Sequence, residues 1–191
     1  LDCWMSWDLR YARLMAERLF GSHLYPEIDR EFIDNLHFLA PMHDVGKIGT
    51  PDDILNKEGP LEDWEWEIMK EHTINGAYIL STYPASMAKT IALFHHERWD
   101  GRGYPYKVAE KMIPLPARIV AIADVYDALR MKRSYKEPFT HEATVKEIES
   151  SAGKHFDPDL VGEFIRLEPE FDAIFQKLKD EEESSKTAVN S

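Results

Sequence analysis

The sequence predicts an all-α fold: a single-domain helical bundle with a short helical extension at its C-terminal end. Apolar residues recur at helical spacing through most of the chain, and no segment alternates apolar and polar residues as a half-buried strand would. The most apolar stretch, residues 115–130, is helix-long and reads as central and buried.

The elements follow in order. Leu9, Ala12, Leu14, Ala16, Leu19 and Phe20, with Met5 and Trp7 before them, predict a first helix closed by Gly21. Pro26-Glu27 opens a second, with Phe32, Ile33, Leu36 and Leu39-Ala40 inward, and Pro41 breaks or kinks it. Gly46 and Gly49 mark its end. Residues 50–60 read as a loop, and Pro60 suits the first turn of a helix carrying Trp64, Ile68 and Met69. Glu62, Asp63, Glu65 and Glu67 form its solvated face near the positive end of the dipole. His72 falls near the end of that helix or at a bend. Helices over 76–83 and 87–96 come next. Two glycines and a proline make 100–105 irregular. Helix 115–130 carries Asp124 and Asp127 three apart, hence on one face, and Arg130 reads as a surface residue. Thr140 caps a helix to Ser151, and Asp157-Pro158 starts a further helical region, Val161–Leu167 and Phe171–Leu178. Residues 1–179 form the domain, and 180–191 are a polar, disordered tail.

Composition bounds the function. The chain has 191 residues, 43% hydrophobic, enough for one domain with a real core. A net charge of −12 argues against binding a nucleic-acid polymer but leaves room for a small anionic nucleotide in a locally positive pocket. A lone cysteine, Cys3, allows no internal disulfide and fits a reducing cytoplasm. No apolar run reaches the length of a membrane span, about 18 residues or more. The chain opens on Leu1, as a piece of a longer or processed protein would.

The chemistry gathers on His43-Asp44, His72, His95-His96 and Asp124. Imidazole nitrogen and carboxylate oxygen suit iron, manganese, zinc or nickel, and six donors exceed the needs of one tetrahedral ion, which points to two metals. Acids on a buried helix, as at Asp124 and Asp127, are costly unless paired or bound to metal. Trp64, Trp66 and Trp99 read as packing residues before base-stacking ones.

Three stretches resemble the HD-GYP subgroup of HD-domain phosphohydrolases: His43-Asp44-Val45-Gly46-Lys47, the eleven residues from His95-His96 to Gly103-Tyr104-Pro105, and Asp124 to Leu129. The match runs from about Tyr11 to Phe164. The resemblance implies an all-helical fold and hydrolysis of cyclic di-GMP, with the linear dinucleotide pGpG or GMP as end product, by two divalent ions, iron first, with manganese, nickel or zinc as alternatives. It implies that Asp44 bridges the ions, with His72, His95 and His96 on one and His43 and Asp124 on the other. Arg133 and Lys136 are implied as phosphate contacts and Tyr104 as a substrate contact. Lys47 reads as a phosphate-recognising or charge-stabilising cation near the metals, and Asp127 as a proton-handling or water-orienting acid or equally as a partner that fixes a ligand histidine. The Gly-Tyr-Pro loop is implied in contacts with diguanylate-cyclase-domain partners, or as a brace for His95-His96, and a sensory or receiver domain is expected upstream.

One position departs from the pattern. Where the family supplies a histidine from its first helix, this chain has Trp4, whose indole N–H only donates. The preceding family glutamate would fall before Leu1, so a third ion is not expected. This leaves two readings: a cyclic di-GMP phosphodiesterase, or a weakly active relative serving as a cyclic-dinucleotide sensor or protein-interaction module.

Overall fold

The computed structural model describes residues 7–84, 86–131 and 137–189. Among them there are helices and turns but no strand; one isolated bridge joins Ala152 and Phe156. The first helix, α1 (Trp7–Leu19), buries Tyr11, Ala12, Met15, Ala16 and Leu19 on one face and ends at Gly21, whose φ of +79° is the left-handed conformation glycine accepts.

Helix α2 (Arg30–Leu39) starts later than Pro26-Glu27 suggests. The chain turns through 22–28, and Asp29 is the cap: its carboxylate accepts from the Phe32 N–H at 2.7 Å. At Pro41, which has no N–H to continue the ladder, the chain tightens into a 3-10 segment, Ala40–Gly49. The stretch read as a loop contains a short helix, α3 (Asp52–Leu55), because Ile54 is buried and two acids favour its first turn.

Helix α4 (Asp63–Lys70) begins beyond Pro60, at a capping box of Glu62 and Glu65. Glu65 is therefore not part of a solvated face: it is buried, takes the Glu62 N–H at 2.6 Å and pairs with Lys57. A break at Glu71 separates α4 from α5 (His72–Ile79), which runs into a 3-10 turn, Leu80–Thr82. Helix α6 (Ser86–Phe94) stops one residue before His95.

Helix α7 (Leu115–Arg130) spans the predicted residues and is the hub, packing against α1 and α6 and against α8 (His141–Ser150) and α9 (Pro158–Val189). Tyr126 from α7 meets Tyr11 and Phe171 with ring centroids 5.0 Å apart in both pairs. Arg130 is not a surface residue. It is buried, donates to Asp172 at 2.7 Å and lies 4.1 Å over the Phe175 ring, because α9 covers the end of α7.

Thr140 caps α8 as expected, accepting from Ala143 N–H. Helix α9 is one helix where two were expected. Pro169 lies on its exposed side, where a carbonyl without a partner can face water, while Phe164, Leu167, Phe171 and Leu178 hold the inner face. Its backbone stays helical to Val189, through most of the stretch read as a disordered tail, and Glu181 lies 3.8 Å from Arg10 of α1. No helix among the described residues is long and apolar enough to cross a membrane.

Candidate metal centre

The donors come from four elements. His43 and Asp44 lie in the 3-10 segment, His72 opens α5, His95 and His96 follow α6, and Asp124 sits in α7. The 3-10 segment and α5 touch backbone to backbone. A Cβ on Gly46 would sit 1.9 Å from the His72 carbonyl oxygen and 2.4 Å from the Gly76 nitrogen. Gly46 thus serves close approach, and that approach carries Asp44 to His72. Sequence reasoning saw only a helix end there.

Asp44, His72, His95 and His96 offer donor atoms all within 4.8 Å of one another. The Nδ1 atoms of His43, His72 and His95 lie 2.8, 2.6 and 3.0 Å from the carbonyls of Ala40, Met69 and Ala92. Carbonyls only accept, so each Nδ1 carries the proton and each Nε2 presents its lone pair inward. His72 Nε2 and His95 Nε2 then face each other at 3.4 Å with no proton between them. Asp44 Oδ1 lies 3.4 Å from His72 Nε2 and 3.7 Å from His95 Nε2, buried and without a hydrogen bond among the described residues. Convergent lone pairs around a buried carboxylate oxygen repel unless a cation sits among them, so the donor set fits a divalent metal. The other oxygen, Oδ2, faces His43 Nε2 at 3.3 Å and takes Lys47; His43 Nε2 is also 3.9 Å from Asp124 Oδ1. The two carboxylate oxygens of Asp44 therefore address different donor sets.

Protonation states agree with this. Burial lowers the His72 pKa to about 4, and burial with repulsion from His95 and His72 holds His96 well below the usual range. Burial opposes ionisation of Asp44, whereas the Lys47 ammonium paired with Oδ2 favours the charged carboxylate. Neutral imidazole and ionised carboxylate are the ligating forms.

The 100–105 loop folds back on the residues before it. A Cβ on Gly103 would lie 2.5 Å from Glu97 Cα and 2.6 Å from the His96 carbonyl oxygen. Tyr104 stacks on the His96 ring, centroids 4.8 Å apart at 28°. Glu97, which sequence reasoning passed over, is 2% exposed and accepts the Tyr106 N–H at 2.7 Å. Its signal was an acid beside two donor histidines; its work is to hold the loop over His96.

Behind the loop, His155 lines a small cavity with Glu97, Trp99 and Arg118. Burial, then repulsion from Arg98, lowers its pKa to about 4 against 6.5 in a free chain. Between those values the unfolded chain binds a proton that the folded one refuses, so stability falls as pH drops through this window. Unfolding free energies of wild type and His155→Asn at pH 7 and 5 test this. The wild type is expected to lose on the order of 2 kcal/mol more than the variant, at 1.36 kcal/mol per pKa unit.

Asp127 lies one turn beyond Asp124 on α7, with one carboxylate oxygen buried. Trp64 and Trp66 are both exposed on α4. Trp4, Arg133 and Lys136 lie outside the described residues.

Comparison with known proteins gives a consistent set. The HD domain profile matches residues 24–160. A cyclic di-GMP phosphodiesterase of Thermotoga maritima is 46% identical over 156 residues, 80% of this chain and 42% of its own length. A 3'3'-cGAMP-specific phosphodiesterase 2 of Vibrio cholerae is 45% identical over 170 residues, 87% of this chain and 32% of its own. The chain thus spans less than half of each of these relatives. The crystal structure of a cyclic GMP-AMP-specific phosphodiesterase of V. cholerae aligns with a TM-score of 0.59 at 22% identity, over 86% of this chain and 44% of that one, and shares the fold.

Proposed function

Because the chain belongs to the HD domain family, we propose that it is a metal-dependent phosphodiesterase that opens cyclic di-GMP to pGpG. The observation that carries this reading is the donor geometry around Asp44, with imidazole lone pairs converging on one carboxylate. The names of the similar proteins support it, since they act on cyclic dinucleotides.

In this proposal His72, His95 and His96 would hold one divalent ion, His43 and Asp124 would hold a second, and Asp44 would serve both. Such ions supply Lewis acidity, activating water and offsetting phosphate charge. Iron is the first choice, with manganese, nickel or zinc also suited to the donors. Lys47, beside Asp44, sets a positive charge next to the cleaved phosphate. Tyr104 forms a wall against which the substrate rests. Asp127 handles a proton or orients a water near the leaving oxygen. Arg133 and Lys136 bind phosphate oxygens, the guanidinium as a planar fork. Arg133→Ala is expected to leave metal content unchanged and to lower kcat/KM about ten- to a hundredfold, the value of a charge-assisted hydrogen bond. Unchanged kcat/KM would remove Arg133 from the site.

A second substrate has its own support: 3'3'-cGAMP, from the 45% identity to an enzyme named for it. Turnover of both dinucleotides by protein reconstituted anaerobically with iron(II), manganese or nickel decides between them. The expected result is pGpG from cyclic di-GMP at a higher kcat/KM than cleavage of 3'3'-cGAMP. Binding without product under every metal would instead favour a sensor.

A further inference from the structure

Lys70 is the last residue of α4, two positions before His72. The turn that orients His72 also fixes it: Thr73 Oγ1 donates to the Lys70 carbonyl at 3.0 Å, and the His72 Nδ1–H to that of Met69. Only the four-carbon stem is left to move. Its ammonium lies 6.0 Å from the centroid of the Tyr104 ring, and that ring in turn stacks on His96. Lys70 therefore stands one aromatic ring away from the donor cluster.

The Lys70 side chain is 36% exposed and pairs with Glu67, itself 73% exposed, at 2.7 Å. An exposed pair three apart on a helix contributes little and is readily exchanged for a better anion. Lys47, by contrast, is engaged with Asp44 inside the cluster. A cyclic dinucleotide carries two phosphates, and the metals with Lys47 serve the one being cleaved. Tyr104 and Lys70 lie beside the cluster on its His96 side, and a second phosphate extending that way would meet the Lys70 ammonium.

We propose that Lys70 is a substrate-binding residue that donates to the uncleaved phosphate of the cyclic dinucleotide across the Tyr104 edge. This rests on the phosphodiesterase reading above and adds a contact to it. The interaction favours ground state and transition state alike, so it enters KM rather than kcat.

Steady-state kinetics of metal-loaded wild type, Lys70→Ala and Lys70→Arg on cyclic di-GMP, at low and high sodium chloride, test it. Lys70→Ala is expected to raise KM about tenfold, the lower end for a charge-assisted hydrogen bond at a half-exposed site, with kcat little changed. The rise of KM with salt is expected to flatten in Lys70→Ala, and Lys70→Arg to recover most of the affinity. Metal content by elemental analysis should match wild type. If wild type turns over cyclic di-GMP and Lys70→Ala matches its KM and salt dependence, the Lys70 contact is wrong and the function stands. If Lys70→Ala lowers kcat or metal content instead, Lys70 supports His72 and does not bind substrate. If wild type cleaves the small diester bis(p-nitrophenyl) phosphate but not cyclic di-GMP, the substrate reading falls, and Lys70 with it.

Discussion

Asp44→Ala is expected to remove bound metal and to lower kcat/KM for cyclic di-GMP by roughly a thousandfold or more, the several kcal/mol that metal ions contribute to such a reaction. One carboxylate oxygen lies 3.4 Å from His72 Nε2 and the other 3.3 Å from His43 Nε2, so the truncation strikes both donor sets at once. His43→Ala touches one set and should cost mainly one ion. Elemental analysis of the three proteins, purified side by side, checks the difference. Equal metal content in wild type and Asp44→Ala would mean that Asp44 holds no ion.

Gly46→Ala is expected to be nearly as damaging, by a different route. The new methyl would overlap the His72 carbonyl oxygen at 1.9 Å and the Gly76 nitrogen at 2.4 Å, both backbone atoms that no rotamer change can move. The 3-10 segment and α5 must then separate, at a cost of about 3 kcal/mol or more. The same separation draws Asp44 away from His72, so metal affinity should fall together with stability. Gly162→Ala is the control. Nothing lies within 4 Å of a Cβ there, and replacing glycine in a helix should stabilise by about 0.5–1 kcal/mol. Urea midpoints of the two variants, measured on metal-free protein, separate the packing cost from lost metal. A Gly46→Ala midpoint equal to wild type would show that the contact yields cheaply.

These two sites mark where the sequence was legible and where it was not. Helix α7 was readable to its ends because a dense apolar run begins just after Pro114 and closes at a charged residue. The candidate donors were readable as residue types in recurring motifs, and their convergence on Asp44 was expected from resemblance. What brings them together, a backbone contact between Gly46 and α5, has no local signal: a glycine that permits close approach looks like one that ends a helix. Helix starts were missed by a few residues where the stop was a side-chain hydrogen bond, Asp29 to Phe32 and Glu65 to Glu62. Arg130 and Glu65 were misplaced outward because each has its charge partner, Asp172 or Lys57, far enough along the chain to be invisible to a helical window. The gap expected between Leu167 and Phe171 is absent because Pro169 lies on the exposed side of α9, where the carbonyl it frees can face water.

The assignment of the donor cluster is tested most directly by anomalous diffraction from crystals of protein loaded with manganese or iron. The expected map has two peaks about 3.5–4 Å apart, the spacing of two-metal sites, flanking the Asp44 carboxylate. One peak should be ringed by His72, His95 and His96 and the other by His43 and Asp124. A fully loaded crystal with no peak among these side chains, or with Asp44 turned away from the ions it does contain, would contradict the assignment.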